Sequence, residues 1–291
     1  MSDTIYTITK NEYPETLRNT PEVPDLLYVR GSLQRNPAQK YLCVIGSRRY
    51  SHYGRDAVNK LFDGLRGFPI SIVSGLAIGI DSIAHEAALA TGLHCVAFPG
   101  STLDWETIHP SSHVGLAKKI VAHGGALMSA WPIGYAMGKW AFPTRNRFMA
   151  GISHATLIIE AAEGSGSLIT AEHALTLGRD VIVVPGSIFG SLSYGPHSLI
   201  REGAHIVTSA ADILEELGFD PSCMQAARTD DILRSLDPQS RQVFDCISIG
   251  GMTVDDVVQE LGMPVPEVLQ RLSLLELQKL IHVGVDGIRL R

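Results

Sequence analysis

The feature that most constrains this fold is an alternation between short, fully apolar runs and longer stretches with helical periodicity, which continues from residue 41 to residue 207. Apolar runs of this kind are typical of strands in a parallel sheet, whose two faces are covered by the intervening amphipathic helices. We therefore predict an α/β fold. The predicted strands span residues 41–45, 70–73, 94–98, 126–129, 155–160, 181–184 and 205–207, and the predicted helices span 55–65, 82–91, 114–122, 145–151 and 168–177.

The two ends of the chain follow other patterns. Residues 1–40 lack strong periodicity and carry four prolines, so we predict an extended arm that lies on the main domain, residues 41–219. Residues 220–230 are small or polar and predict a linker. Residues 231–291 predict a winged helix, with helices at 240–247, 254–261 and 266–280 and a wing whose hairpin turn is Asp286-Gly287.

Loops rich in Gly, Ser and Arg follow several of the predicted strands. Because the carboxyl ends of parallel strands meet at one edge of a sheet, we expect these loops to lie together there, where ligands bind in such folds. Main-chain N–H groups, hydroxyls and guanidinium groups suit phosphate. The loops span residues 44–49, 74–89, 142–153 and 160–175.

Charge is unevenly distributed along the chain. The net charge of −6 argues mildly against a nucleic-acid partner, but residues 26–55 contain six basic residues and residues 107–159 contain five, and neither stretch contains an acid. Local clustering matters more than net charge, because phosphate attraction is screened beyond ~10 Å. The alternative is chance spacing on a solvated surface.

The composition argues against a membrane protein, a secreted protein and a metal-binding protein. No signal peptide and no apolar run long enough to span a membrane is visible, so we expect no membrane partner. The four cysteines are scattered without metal-ligand spacing, and Cys43 and Cys95 fall inside apolar strand patterns. We therefore expect buried thiols, a cytoplasmic protein and no metal.

Four motifs occur in an order that resembles the DNA-processing protein A family, also called Smf. They are GSR at residues 46–48, SGLAIGID at 74–81, FPTRNR at 142–147 and EGSGSLITA at 163–171. The resemblance covers nearly the whole chain. It implies an extended Rossmann-like parallel sheet with helices on both faces and a small C-terminal winged-helix domain. It also implies a dimer that binds single-stranded DNA without cutting it and helps to load the RecA recombinase in natural transformation.

This chain departs from the family pattern in one loop region. It has His109-Pro110-Ser111-Ser112-His113 where the family usually has Tyr-Pro followed by Asn three residues beyond the proline. It has Ser129-Ala130-Trp131-Pro132 where the family usually has Ser-Glu before a proline.

The first loop predicts a phosphate contact. Gly46 permits close approach of a ligand to the backbone, Ser47 offers a hydroxyl, and Arg48 and Arg49 offer guanidinium groups. Arg48 resembles the family's DNA-contacting arginine. The alternative is a strand-end turn with Arg48 in a structural salt bridge.

The third loop places an aromatic ring among cations. Lys139, Phe142, Arg145 and Arg147 fit single-strand binding, in which bases stack on a ring while cations hold the backbone. Lys139 and Phe142 resemble the family's Lys and Phe contacts. The alternatives are that Phe142 is a core residue covered by Trp140, and that one arginine pairs with Glu160 or Glu163 to fix the loop.

The fourth loop, Gly164, Ser165, Gly166 and Ser167, predicts an anion site at a helix start. It is similar to the phosphate loop of phosphoribohydrolases of the lysine-decarboxylase-like type, but Thr170 stands where their catalytic Glu would be. This favours a non-catalytic site without a cofactor, although a nucleotide-handling hydrolase and a nucleotide sensor remain alternatives. Asp81 and His85 are interpreted as structural, Asp81 as a helix N-cap.

The winged-helix segment carries six basic and nine acidic residues. DNA-reading modules are normally richer in bases, which favours a protein contact or an auxiliary role for it.

Overall fold

The computed structural model describes residues 4–220, 233, 236–248, 252–278, 280–284 and 287–290. The chain forms two compact units, Met1–Pro221 and Ser222–Arg291. The predicted linker, residues 220–230, lies outside the described residues except for Asp220.

Within the described part of the first unit, nine strands form one sheet in the order β1-β2-β6-β5-β4-β3-β7-β8-β9. The seven strands from β6 to β9 in that order are parallel, which confirms the predicted α/β class. The strands are β1 (Ile5–Thr9), β2 (Leu26–Gly31), β3 (Lys40–Ile45), β4 (Ile70–Ser74), β5 (His94–Ala97), β6 (Ala126–Ser129), β7 (Ala155–Ile158), β8 (Asp180–Val183) and β9 (His205–Ile206).

Helices connect the strands and cover both faces, with sequence signals at several helix starts. Ser51 caps α2 by accepting a hydrogen bond from the N–H of Gly54, and Ser209 with Asp212 forms a capping box at α8. The helices of this unit are α1 (Glu15–Arg18), α2 (His52–Asp63), α3 (Ile80–Thr91), α4 (Val114–Ala122), α5 (Ala141–Ile152), α6 (Gly166–Thr176), α7 (Tyr194–Arg201) and α8 (Ala210–Glu216).

The first forty residues differ from the prediction. They are not an arm lying on the domain, because β1 pairs antiparallel with β2, and β2 pairs antiparallel with β6, so both strands extend the sheet. β1 is the edge strand, and few of its residues face the core: Tyr6 and Thr7 are exposed, whereas Ile8 is buried. Leu27 and Val29 of β2 are fully buried and anchor the pair to the core.

The strand order reverses between β3 and β7. β3 is followed in the sheet by β4, β5 and β6 on one side, and the chain then returns to place β7 on the other side. A crevice opens at such a reversal, outside the carboxyl ends of the two strands. The loops after β3 and β7 therefore flank one point.

The second unit contains α9 (Pro238–Ile247), α10 (Val254–Leu261), α11 (Val265–Leu277) and the paired strands β10 (Ile281–Gly284) and β11 (Gly287–Leu290). Its described core joins Val243, Val257 and Leu272 from the three helices with Ile281 from the hairpin. Thr253 and Asp256 form the capping box that starts α10. Gly284 pairs with Gly287, so Gly287 belongs to β11 rather than to the turn, and Asp286 lies outside the described residues.

Among the helices that the structure describes, none combines the length and the apolar content that crossing a membrane requires.

Candidate functional site

An open cleft of ≈ 720 Å³ lies at the strand-order reversal. Its walls are the loop after β3, the first turns of α5 and the start of α6. Three of the four predicted loops thus contribute to one surface, and Ala77 and Asp81 bring in the remaining one. The parallel topology is what collects these segments, because each follows the carboxyl end of a strand or packs beside one.

The loop after β3 presents Arg48 to the cleft. Arg48 and Arg49 are exposed, and Arg48 makes no ion pair with another described residue. Ser47 is buried, and its hydroxyl donates to the carbonyl of Arg49 and accepts from the N–H of Arg49. The Ser47 hydroxyl therefore closes the turn that exposes the two arginines.

Gly46 has a packing reason to be glycine. A Cβ at this position would lie 2.7 Å from Cγ1 of Ile80 and 3.0 Å from the carbonyl oxygen of Glu160. The first turn of α3 and the end of β7 therefore close on the backbone at Gly46. Because residue 46 has no side chain, these two elements can pack against the loop and support it. This packing explains the glycine without the close approach of a ligand that the sequence analysis predicted.

Phe142 is half-buried at the start of α5 and borders the cleft. Its ring packs against the backbone of Gly100, where a Cβ would overlap it, and lies 5.8 Å from the ring of His109. Phe142 and Arg48 also share a second, smaller hollow of ≈ 50 Å³. The ring is therefore neither a fully buried core residue nor a free surface one: one side is held and the other borders open space.

Arg145 is placed differently from the prediction. The residue is 5% exposed, and its guanidinium lies 4.0 Å, Nη1 to Oδ2, from the buried carboxylate of Asp81. A Cβ at position 75 would overlap Nη1, so Gly75 makes room for the guanidinium. Arg145 thus lies in the floor of the cleft and ties α5 to α3, because a buried charge needs a partner.

Arg147 lies outside the cleft. It pairs with Glu22, and neither Arg147 nor Lys139 is among the described residues that border the cleft. Residues 145 and 147 are two apart in α5, so their side chains point to different sides of the helix. Lys139 is exposed in the loop just before α5.

The acidic residues that the sequence analysis named as partners for Arg145 and Arg147 are not their partners in the structure. Glu160 is buried and accepts hydrogen bonds from the N–H and the hydroxyl of Ser51, 2.9 and 2.5 Å away, at the start of α2. Neither ion pair that the structure describes for the two arginines involves Glu160 or Glu163, the partners that the alternative interpretation named. The actual partners, Asp81 and Glu22, come from distant segments of the chain.

The loop before α6 forms a helix start that faces the cleft. Ser165 is the N-cap, its side chain accepts from the N–H of Ser167, and the two hydroxyls are 2.7 Å apart. Gly164 has φ +67°, and a Cβ on Gly166 would meet nothing within 4 Å. The positive end of the α6 dipole therefore opens onto free space, as an anion site requires.

Electrostatics in the floor of the cleft are dominated by burial. Loss of hydration raises the pKa of Asp81, although Arg145 and the N–H groups of Ala77 and Gly75 act in the opposite direction. Burial lowers the pKa of Arg145, opposed by Asp81. Asp81 lies in the first turn of α3 behind the N-cap Gly79, so the N-cap prediction is wrong. Its contact with the N–H of Gly75 at 3.1 Å gives it a structural role.

Sequence reasoning missed two features beside this site. The first is the Asp81–Arg145 pair. The sequence carried one signal for it, because Asp81 stands in a predicted helix start whose other residues are apolar or small. A carboxylate in such surroundings is rarely buried without a partner. The second feature is a group of rings at Trp131, Tyr135 and Trp140, of which Trp140 contacts the other two.

Comparison with known families gives two matches. A model described as "DNA recombination-mediator protein A" matches residues 4–218. A second, described as "DprA winged helix domain", matches residues 226–287, which supports the winged-helix assignment of the second unit.

Individual relatives agree with these matches. The chain is 38% identical over 285 residues to protein Smf of Escherichia coli, covering 96% of this chain and 75% of that protein. It is 40% identical over 214 residues to DNA processing protein DprA of Streptococcus pneumoniae, covering 74% of each.

Two solved structures are similar in fold. The X-ray structure of DNA processing protein A from Streptococcus pneumoniae has a TM-score of 0.67 at 36% identity and covers 75% of each chain. A structure of DNA processing protein A from Helicobacter pylori has a TM-score of 0.65 at 25% identity, covering 74% of this chain and 95% of that one. The Helicobacter pylori structure concerns the single-stranded DNA binding mode of that protein.

Proposed function

The chain belongs to the DNA recombination-mediator protein A family, and on that premise we propose that it binds single-stranded DNA without cleaving it and assists loading of the RecA recombinase during DNA uptake and recombination. The observation that carries the binding proposal is the cleft at the strand-order reversal. It combines a half-buried ring, Phe142, with the exposed guanidinium of Arg48 and the helix start at Ser165–Ser167.

This combination suits a single strand. Base stacking needs a ring with an accessible face, and a single strand offers bases whose faces are free, whereas bases in a duplex are already stacked. Cations and main-chain N–H groups then hold the phosphates without reading sequence. The Helicobacter pylori relative is described as binding the same class of ligand, single-stranded DNA.

The candidate residues divide by position. Arg48, Arg49 and Phe142, with the loop Gly164–Ser167, are assigned to direct contact. Lys139 is assigned to the phosphate path outside the cleft, because it is exposed one turn before Phe142. Gly46, Ser47 and Arg145 are assigned to loop support, and Arg147 to an ion pair away from the cleft.

The contacts of the acidic side chains near the cleft favour a binding role over a hydrolase. Asp81 is buried against Arg145 and Gly75, and Glu160 is occupied at Ser51. Thr170 borders the cleft at the position where the similar hydrolase motif would place a carboxylate. General acid–base work needs a carboxyl that can reach the reacting atom, and these two are committed to structure.

A homodimer and a cytoplasmic location complete the proposal. Support for the dimer is a set of exposed apolar side chains near the β9 edge of the sheet, with Phe189 94% exposed. The set is Ile188, Phe189, Tyr194 and Ile206. Support for the cytoplasm is that Cys43, Cys95 and Cys246 are buried free thiols, which suits a reducing compartment.

The decisive experiment is a binding titration of the full chain with labelled single-stranded and blunt duplex DNA at two salt concentrations. We expect much tighter binding of the single strand, little base preference, and a loss of affinity at higher salt that reports several released counterions. Equal affinity for both forms would overturn the proposal. Release of base from nucleoside monophosphates above background, abolished by Ser167→Ala, would favour the hydrolase instead.

The RecA proposal needs a separate test. We expect the protein to speed assembly of RecA filaments on single strands already coated with a single-strand binding protein. A variant that binds DNA normally but is monomeric would then show whether dimer formation contributes.

A further inference from the structure

A second aromatic surface lies beside the cleft. Trp140, the N-cap residue of α5, is 50% exposed, and Tyr135 is 49% exposed. The ring of Trp140 lies 5.6 Å from that of Trp131 and 6.3 Å from that of Tyr135, with interplanar angles of 76° and 86°. Trp131 is buried and anchors the group. We call Trp131, Tyr135 and Trp140 the aromatic ridge.

The loop that carries the ridge holds the indole in place. A Cβ on Gly138 would lie 2.6 Å from Nε1 of Trp140, so the indole packs directly on the backbone at Gly138. The carbonyl of Trp140 accepts from the hydroxyl of Thr144 at 3.1 Å, and the N–H of Tyr135 donates to the carbonyl of Pro132. A ring already held in one position loses little freedom when a ligand stacks on it.

The ridge and Phe142 face different sides of the start of α5. Residues two apart on a helix are rotated by about 200°. Their neighbours agree: Phe142 contacts Gly100 and His109, whereas Trp140 contacts Trp131, Tyr135 and Gly138. The two exposed ring surfaces are therefore separate positions within one short segment.

Charge around the ridge favours a polyanion over an apolar protein surface. Lys139 is exposed and directly precedes Trp140, and residues 107–159 contain no Asp or Glu. An exposed ring beside a cation, in a stretch without acids and next to the phosphate-type cleft, is the arrangement that single strands use.

We propose that Trp140, held by Trp131 and Tyr135, is a second base-stacking platform that continues the single-strand path from the cleft across the start of α5, with Lys139 holding the adjoining phosphate. This inference rests on the proposed function, because it assigns a further contact to the same ligand. It gives the strand two stacking positions, one on each side of the α5 start.

The test compares Trp140→Leu, which keeps apolar bulk but removes the ring, with Trp140→Phe, which keeps a ring. Binding of labelled oligo(dT) of ~4 and ~16 nucleotides, the range of site sizes of single-strand-binding OB folds, is measured for both. We expect Trp140→Leu to bind the longer strand ~5- to 150-fold more weakly, since one stacked base contributes ~1–3 kcal/mol. We expect the shorter strand to be little affected, Trp140→Phe to recover most of the loss, and the salt slope to be unchanged.

Two further variants are measured beside these. Phe142→Ala removes the ring of the cleft, and Leu277→Ala is the control, a change at an exposed leucine of the second unit. If the unaltered protein binds no single strand, the proposed function itself fails. Suppose instead that the unaltered protein binds and that Phe142→Ala weakens binding but Trp140→Leu does not. Only the second platform is then overturned. It is also overturned if Trp140→Phe is as weak as Trp140→Leu, because the ring would then not matter.

Fluorescence gives an independent readout, because the chain has only three tryptophans. Stacking of a base on Trp140 is expected to quench its emission when oligo(dT) is added. Trp140→Phe, which still binds, should lose most of that quench. Retention of the full quench in Trp140→Phe would overturn the assignment.

Discussion

The guanidinium of Arg145 lies 4.0 Å from the carboxylate of Asp81, and both side chains are buried in the floor of the cleft. This pair joins α5, which carries Phe142, to the first turn of α3. It makes Arg145 a residue that fixes the cleft wall, although its place in an acid-free basic stretch suggested a surface contact. The distinction has a measurable consequence for stability.

Arg145→Met should destabilise the protein by ~3–5 kcal/mol, because it leaves the carboxylate of Asp81 buried without its charge partner. Chemical denaturation measures this change. Arg147→Met is the matched control on the same helix, where the partner Glu22 is 77% exposed, and it should cost less than ~1 kcal/mol. The double variant Asp81→Asn with Arg145→Met should be more stable than the sum of the two single changes predicts. Equal costs for Arg145 and Arg147 would contradict the pairing.

Arg48→Ala should lower both the affinity for single-stranded DNA and the slope of log affinity against log salt, the slope by about one unit for the lost phosphate contact. Arg147→Ala should change neither by a comparable amount, because its side chain pairs with Glu22 away from the cleft. Titrations of both variants at several salt concentrations check this. A slope change at Arg147 equal to that at Arg48 would restore Arg147 to the contact surface.

Phe142→Ala should weaken single-strand binding and leave the salt slope nearly unchanged, because stacking releases no counterions. Its ring is half-buried, so the stability cost should stay below the ~3–5 kcal/mol typical of a core Phe. Melting temperature is measured beside the titration. If Phe142→Ala melts far earlier while its folded fraction binds normally, the ring is structural and the stacking role is wrong.

Substitutions at two glycines distinguish a residue that supports the cleft, Gly46, from one that borders the bound strand, Gly166. Gly166→Ala should not destabilise the protein, since the new methyl group meets nothing within 4 Å, but it should weaken DNA binding by filling space in front of the α6 start. Gly46→Ala should cost ~1–3 kcal/mol through overlap with Ile80 and the carbonyl of Glu160. Denaturation and titration of both variants test this, and unchanged affinity in Gly166→Ala would argue against an anion site there.

Much of the sheet was predictable because its central strands are buried on both faces. Such strands appear as uninterrupted apolar runs, and β6 and α4 have the predicted bounds. The edge was not predictable in the same way. β1 buries few of its residues, and the helix α7 contains Gly195 and Pro196, residues that normally argue against a helix. The missed helix α8 did carry a usable signal, the Ser209 and Asp212 capping box.

The candidate site was predictable to the level of loops and no further. Parallel strands send their following loops to one edge, so the alternation alone predicts that the β3 and β7 loops share that edge. Which side chains pair across that edge depends on strand order and on the rotation of each helix. Asp81 and Arg145 are brought together from distant segments by packing of the whole unit, and no local pattern fixes that contact.

The buried imidazole of His85 on α3 predicts a dependence of stability on pH. Burial lowers the pKa of His85 to about 3, because the charged ring would lose its hydration. In the unfolded chain the same group has a pKa of ~6.5. Between these two values the unfolded state binds the proton and the folded state does not, so stability rises with pH and is lost as pH falls below about 6.5.

His85→Leu should remove this contribution. Well below the unfolded pKa, the free energy of unfolding of the unaltered protein should fall by ~1.4 kcal/mol per pH unit more steeply than that of the variant. Urea denaturation between about pH 5 and pH 6.5 keeps most carboxylates ionised, and comparison of slopes cancels any change in absolute stability. Identical slopes for His85→Leu and the unaltered protein would mean that His85 gains its proton in the folded state, and therefore that water or a partner reaches the ring.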